Sequence, residues 1–204
     1  MAAILALILI AVLTAMPPGL PKGRKGAKFS EVFSKSPNVN WLSAARVFLF
    51  GARDVWFVVA LPVYLHTVFG WDFWKVGGFM ASWIIGYGFI KTIAPRITGN
   101  MEGKQPAVLW AAALALIPAA IAIGLAAGWS PQFVIVGGLL LFGVLFAVNS
   151  SLHSYLIVSY ARGDGVSLDV GFYYMSNAAG RLLGTILSGW VYQAWGLEAC
   201  LWIS

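Results

Sequence analysis

The chain has 204 residues, of which 60% are hydrophobic and only 10% are charged, whereas a soluble domain carries about 25% charged residues. A soluble fold is therefore excluded, and the apolar runs are too long for the strands of a transmembrane barrel. The formal net charge is +6, which cytoplasmic loops of a membrane protein explain more simply than nucleic-acid binding does. One cysteine and two histidines predict no disulfide, no metal site and no cofactor.

Six apolar stretches follow one another along the chain. Residues 1–16 form a run that is short for a span and ends at Pro17-Pro18-Gly19, so we predict the end of a transmembrane helix there, with a cleaved signal peptide as the alternative. Residues 17–40 are rich in Gly, Pro, Ser and Lys, which predicts a basic linker. The other spans are expected at about 41–65, 73–93, 107–127, 133–160 and 170–195.

A further apolar segment begins after Gly196 and stops at Ser204, so both ends of the chain look truncated. The basic residues of the loops predict the orientation, because short cytoplasmic loops retain Lys and Arg. The linker carries five basic residues, the loop at 91–104 carries three and the loop at 161–169 carries one, while the two remaining loops carry none. The linker at 17–40 is therefore expected to be cytoplasmic.

Four arginine and aspartate side chains fall inside predicted spans, and an unpaired charge near the bilayer centre costs about 2.5–3.5 kcal/mol. They are Arg46, Arg53 and Asp54 in the second span and Arg181 in the sixth. The surplus of arginines over acids favours an anionic ligand inside the helical bundle. Asp54 is expected to serve in charge pairing or coupling, with a purely structural ion pair as the alternative. For Arg46, nearer the end of its span, the alternative is snorkelling to the membrane surface.

The sixth span also carries polar residues at helical spacing, which predict one polar stripe. Its members are Tyr173, Asn177, Arg181, Thr185 and Ser188. A stripe of interhelical hydrogen bonds is the alternative to ligand binding. Gly180 and Gly184 lie beside the stripe and are expected to form a close helix-packing contact.

Polar residues also crowd one half of the fifth span. Asn149 and His153 are four residues apart and share a helix face. His153 has the chemistry to bind an anion or to carry a proton, although a lone histidine is more often only hydrogen-bonded. We expect both residues to contribute to the substrate site.

The order of these segments resembles the C-terminal half of a major facilitator superfamily transporter: an apolar helix, a long basic linker, then helices that alternate between polar and featureless. The resemblance implies an all-α membrane protein that works by alternating access. Residues 1–16 would end helix 6, residues 17–40 would be the central linker, and residues 41–204 would form the C-terminal lobe, from helix 7 to the start of helix 12. The N-terminal lobe of the same transporter would be a missing partner.

Two segments, Arg46 to Phe57 and Gly171 to Arg181, more closely resemble the ArsJ family of organoarsenical efflux permeases, and the resemblance runs from Trp41 onward. It implies export of 1-arseno-3-phosphoglycerate across a bacterial inner membrane, arsenate resistance, and a functional link to glyceraldehyde-3-phosphate dehydrogenase. The arginines would clamp phosphate or arsenate oxygens. The residues expected to bind substrate are Arg53, Arg181, Asn177, Tyr173, Asn149, Thr185, Arg46 and His153.

Other functions remain open at this point. The same scaffold suits another substrate, such as a sugar phosphate, a carboxylate or a drug. An intramembrane enzyme would need a nucleophile, an acid/base pair or a metal set. The sequence contains no HExxH motif, no His-to-Asp acyltransferase spacing and no Ser–His pair with an orienting carboxylate, so we do not expect an enzyme. A non-transporting structural bundle would gain nothing from three buried arginines.

Overall fold

The computed structural model describes residues 34–98, 104–161 and 165–204, together with Thr14. The chain forms two compact units, Met1–Val32 and Phe33–Ser204, and all described residues except Thr14 belong to the second. The predicted helix end at 1–16 apart from Thr14, most of the linker at 17–40 and Arg162 in the 161–169 loop lie outside the described residues.

Every regular element in the described part of the chain is an α-helix. The helices are α1 Pro37–Phe57, α2 Ala60–Thr67, α3 Phe73–Thr98, α4 Lys104–Ala126, α5 Pro131–Tyr160 and α6 Val166–Ile203. α1 and α5 both begin with proline, a residue suited to the first turn because its missing N–H would have no helical partner there. The prediction of an all-α protein is confirmed.

α1 and α2 together form the second predicted span, interrupted at Val58 and Val59. Pro62 explains the interruption, because it has no N–H to donate to the carbonyl four residues earlier and its ring crowds that carbonyl. The hydroxyl of Ser188 accepts a hydrogen bond from the backbone N–H of Ala60 at 3.1 Å, so α6 supplies a partner where the helix is broken.

Four stretches are long and apolar enough to cross a membrane: Pro37–Thr67, Phe73–Arg96, Gln105–Ala126 and Pro131–Tyr160. α6 is not among them, since it interleaves Arg181 and other polar side chains with its apolar ones. Its helical run is also interrupted at Gly196, whose φ of +79° suits glycine. This break coincides with the expected end of the sixth span.

The helices pack in two groups. In the first group α1 lies along α6, and in the second α3 and α4 both pack on α5. The two groups meet along a narrower seam, where α1 and α6 touch α5 and α6 touches α4.

Glycines hold the first group together at very short range. A Cβ atom at Gly180 would collide with the backbone of Val47, and one at Gly184 would lie 2.5 Å from the carbonyl oxygen of Gly51. No residue with a side chain permits this approach of two helix backbones. The expectation that Gly180 and Gly184 form a packing contact is confirmed.

Aromatic side chains hold the second group together. The indole N–H of Trp83 on α3 donates to the carbonyl oxygen of Leu139 on α5 at 2.9 Å, and its ring stacks on Tyr87. Phe142 and Phe146 of α5 stack on each other. Phe142 contacts Trp56 of α1 edge-on, and Phe146 contacts Phe50 of α1 in the same way. The aromatic core therefore extends to the helix face of α1 that carries the charged residues.

Candidate functional site

Three charged side chains of the described chain lie on one face of α1, and a fourth comes from α6; a separate buried carboxylate, Asp169, accepts a hydrogen bond from the Oγ of Ser34 at 2.6 Å. Arg46, Phe50, Arg53 and Asp54 follow one another at spacings of four, three and one residues, so they lie on neighbouring turns. We use the name arginine cluster for Arg46, Arg53, Asp54 and Arg181.

Asp54 is fully buried and is held by two arginines. Its Oδ1 atom accepts from the Nε of Arg53 at 2.6 Å and lies 2.6 Å from the Nη2 of the same residue. Its Oδ2 atom accepts from the Nε of Arg181 at 3.2 Å. The Arg53 side chain is 11% exposed and the Arg181 side chain is 56% exposed, so the two arginines differ strongly in their freedom to move.

Arg46 is 3% exposed and all its hydrogen-bond partners are neutral. Its Nε donates to Asn177 Oδ1 at 3.2 Å and its Nη1 donates to Ser150 Oγ at 3.4 Å. Among the described residues no acidic side chain pairs with it; the ion pairs seen there both involve Asp54. The side chain thus points into the bundle, where it joins α1 to α5 and α6, and the snorkelling alternative does not apply.

Aromatic rings surround two of the arginines, and at Arg46 they take the place of a counter-ion. The guanidinium carbon of Arg46 lies 4.1 Å from the Phe50 ring centroid and 5.0 Å from that of Tyr173. Arg53 lies 4.7 Å from the same Phe50 ring and 4.9 Å from the Phe146 ring. Cation–π contacts stabilise a desolvated cation without neutralising it. The guanidinium carbons of Arg46 and Arg53 are therefore less than about 9 Å apart, with Phe50 beside both.

Two side chains of α5, close in sequence to the Ser150 that Arg46 contacts, carry buried polar atoms without partners. Asn149 is fully buried, and neither its amide oxygen nor its amide nitrogen makes a hydrogen bond. His153 is 6% exposed and its Nδ1 atom is also unpartnered. Asn149 directly precedes Ser150, the acceptor of the Arg46 bond, and His153 lies within electrostatic range of Arg46. Buried polar atoms nearly always find a partner, so the unpartnered atoms of Asn149 and His153 are candidates for contact with a ligand.

The polar stripe of α6 divides into two parts. Tyr173 is buried and Asn177 half-buried against Arg46, and Arg181 reaches Asp54. Thr185 is half-buried, and no hydrogen bond joins it to the arginine cluster in the described part of the chain. Ser188 is fully buried and serves the helix break at Ala60. At Ser188 the alternative of interhelical hydrogen bonding is therefore correct.

Sequence reasoning did not assign Phe50, Phe146, Ser150 or Lys91 to the site. Phe50 lies four residues after Arg46 and three before Arg53, a spacing that puts it on their helix face. Lys91 of α3 is half-buried and within electrostatic range of Arg46, so it adds to the positive potential. Phe146 comes from a different helix, and no local sequence pattern indicates its contact with Arg53.

Comparisons with protein-family models, with curated proteins and with solved structures give no match. The resemblance to the major facilitator superfamily and to the ArsJ family therefore stays a prediction. Fold and site define a class: an all-α membrane protein in which, among the described residues, Asp54 pairs with Arg53 and Arg181 while a third arginine, Arg46, is buried among neutral partners.

Proposed function

We propose that the chain is the C-terminal lobe of a secondary transporter that exports a small organic anion by alternating access. The observation that carries this proposal is the charge balance of the arginine cluster. Asp54 compensates one of three arginines, and Arg46 is buried among neutral partners. Two positive charges remain for a ligand to neutralise.

The cost of such charges argues for a function that uses them. An ionised side chain within a membrane costs about 2.5–3.5 kcal/mol on the insertion scale, and replacing buried ionic groups with apolar ones is often stabilising. An arginine binds phosphate or carboxylate through a planar fork of donors. Arg46 and Arg53, less than about 9 Å apart, suit a compact molecule with an anionic group at each end.

The resemblance of the sequence to the ArsJ family implies that the substrate is 1-arseno-3-phosphoglycerate. This arsenate ester is formed by glyceraldehyde-3-phosphate dehydrogenase. Arg46, Arg53 and Arg181 would bind the oxyanion groups, while Asn149, Asn177, Tyr173, Thr185 and His153 would orient the glycerate. The location would be a bacterial inner membrane with the linker at 17–40 in the cytoplasm and an N-terminal lobe covering the site. Expelling an anion from a negative interior gains about 2.3 kcal/mol per charge per 100 mV, so export requires no proton coupling.

Arsenate tolerance tests this proposal. Cells would produce the complete two-lobed transporter with glyceraldehyde-3-phosphate dehydrogenase, and extracellular arsenic would be followed over time. We expect Arg46→Gln, Arg53→Gln and Arg181→Gln each to abolish tolerance and arsenic export. Arg96→Gln is the matched control, because Arg96 is exposed near the end of α3. A well-produced transporter that gives neither tolerance nor extracellular arsenic would refute the arsenical substrate.

A transporter of the same fold with another anionic substrate is the second candidate. It is favoured by the chemistry of the site, where guanidinium and amide groups recognise oxyanions of any kind. Competition binding with sugar phosphates and carboxylates on the purified chain separates the two candidates. Tighter binding of one of these than of 3-phosphoglycerate would favour the second.

A further inference from the structure

Asp54 occupies the arginine donors that a bound oxyanion would use. Its carboxylate lies between Arg53 and Arg181, and the two contacts are unequal. Arg53 approaches with two nitrogens at 2.6 Å, whereas Arg181 donates from one nitrogen at 3.2 Å. The contact with Arg181 is therefore the weaker of the two.

The surroundings of the two arginines also hold Arg53 more firmly than Arg181. Arg53 is packed against the rings of Phe50 and Phe146 and is 11% exposed. Arg181 is 56% exposed, so its guanidinium can swing away without disturbing the packed core. Arg181 is the arginine that can exchange partners.

Asp54 itself is fixed in position by the helix crossing. A Cβ atom at Gly184 would lie 2.9 Å from the Cβ of Asp54, so this aspartate sits directly on the backbone of α6. Its carboxylate is also fully buried and has two nitrogen atoms of Arg53 at 2.6 Å. An exchange of partners therefore moves Arg181 and leaves Asp54 with Arg53.

We propose that Asp54 is an internal counter-ion that competes with the transported anion for Arg181. The inference rests on the proposed function and adds to it a mechanism of release. An arriving oxyanion takes the guanidinium of Arg181 from Asp54, and Arg53 keeps Asp54 compensated. When the site opens, Asp54 takes Arg181 back and the anion leaves.

Replacing the carboxylate with an amide removes the competitor. Asp54→Asn raises the positive charge of the cluster by one unit and frees Arg181, so an anion should bind more tightly and dissociate more slowly. Coupling between interacting groups typically changes affinity by about 5- to 150-fold. We expect at least a fivefold lower Kd for Asp54→Asn, with slower release.

The experiment uses the purified chain in lipid nanodiscs and glycerol 3-phosphate as the probe. Calorimetry gives the Kd, and stopped-flow tryptophan fluorescence gives the dissociation rate. Asp72→Asn is the matched control, because Asp72 is an exposed acid at the start of α3, and its Kd should equal that of the wild type. In an Arg181→Gln background Asp54→Asn should give a clearly smaller gain, because the exchangeable guanidinium is gone and only the change in charge beside Arg53 remains.

Infrared difference spectroscopy on the wild type provides a test that does not depend on the folding of an Asp54 variant. Glycerol 3-phosphate has no carboxylate, so a shift of the carboxylate stretch on saturation reports protein acids. We expect this shift in the wild type and in Asp72→Asn, and its loss in Arg181→Gln.

The outcomes separate this inference from the proposed function. Binding that is weakened by Arg46→Gln, combined with an unchanged Kd in folded Asp54→Asn or a silent carboxylate band, overturns the exchange and keeps the anion site. Failure of the wild type to bind any of glycerol 3-phosphate, 3-phosphoglycerate and a sugar phosphate overturns the proposed function and the exchange together.

Discussion

At the scale of single residues, the site combines a fixed charge with unused hydrogen-bonding groups. Arg46 brings a guanidinium into the interior, and Asn149 brings an amide whose two polar atoms have no partner. A group that makes no hydrogen bond in the free protein contributes little to folding and is ready to bind a ligand. A substitution of Asn149 should therefore change binding without changing stability, and both quantities can be measured.

Asn149→Leu should weaken binding without lowering stability. The amide makes no hydrogen bond that folding would lose, whereas a hydrogen bond to a charged ligand group contributes about 1.5–3 kcal/mol. We expect the Kd for glycerol 3-phosphate to rise about tenfold or more and the melting temperature in detergent to stay the same or rise.

Asn177→Leu is the comparison for that substitution. Asn177 accepts a hydrogen bond from Arg46, so its loss should lower the melting temperature as well as the affinity. A stability loss in Asn149→Leu equal to that in Asn177→Leu would show that the Asn149 amide is structural.

The ion pair between Arg53 and Asp54 shows that local sequence cannot predict which charged side chains meet. Adjacent residues on a helix point about 100° apart, so the pairing of Arg53 with Asp54 depends on a long side chain that curls back. The sequence identified both as buried charges, but which charges meet depends on rotamers and neighbouring helices. The presence of arginines inside the bundle, Arg46 among them, was therefore predictable, while the partner that each arginine meets was not.

At the scale of elements, the crossing of α1 and α6 positions the site. The backbones of Gly180 and Val47 are in contact, which brings Arg46 to Asn177 and Asp54 to Arg181. The glycine spacing predicted that Gly180 and Gly184 lie in a close helix contact, but it did not indicate that α1 would be the partner helix. The break at Val58 and Val59 was not predicted, although Pro62 is a sufficient signal for it.

Gly180→Ala should push α1 and α6 apart. The added methyl group would meet the backbone of Val47, and overpacking of this kind costs about 1–3 kcal/mol. We expect a lower melting temperature and a weaker Kd for glycerol 3-phosphate, because Asp54 and Arg181 separate. Gly189→Ala on the same helix has open space around it and should change neither quantity.

At the scale of the whole molecule, the arginine cluster lies where the two groups of helices meet. Arg46 belongs to α1 of the first group and donates to Ser150 on α5 of the second. A ligand that binds Arg46, Asn149 and His153 together would link the two groups more firmly. The order of the helical segments in the described chain was predictable from apolar run lengths, apart from the break in the second span, but this arrangement depends on contacts between distant segments.

Hydrogen exchange should detect that link. We expect saturating glycerol 3-phosphate to slow the exchange of backbone amides at 46–54 on α1 and 146–153 on α5, with little change at 105–126 on α4. Mass spectrometry of the chain in nanodiscs measures the three regions in one experiment. Equal protection of all three regions would indicate general stabilisation rather than a ligand at the seam.

The partners of Arg46 determine how such a protein can evolve a new substrate specificity. Its charge is supported by the Phe50 and Tyr173 rings, while the amide of Asn149 is not needed to hold the helices together. A substitution at Asn149 can therefore alter which anion is accepted while the charge that attracts anions stays in place. A lobe built this way can diverge toward new anionic substrates by single substitutions, without first acquiring extra stability.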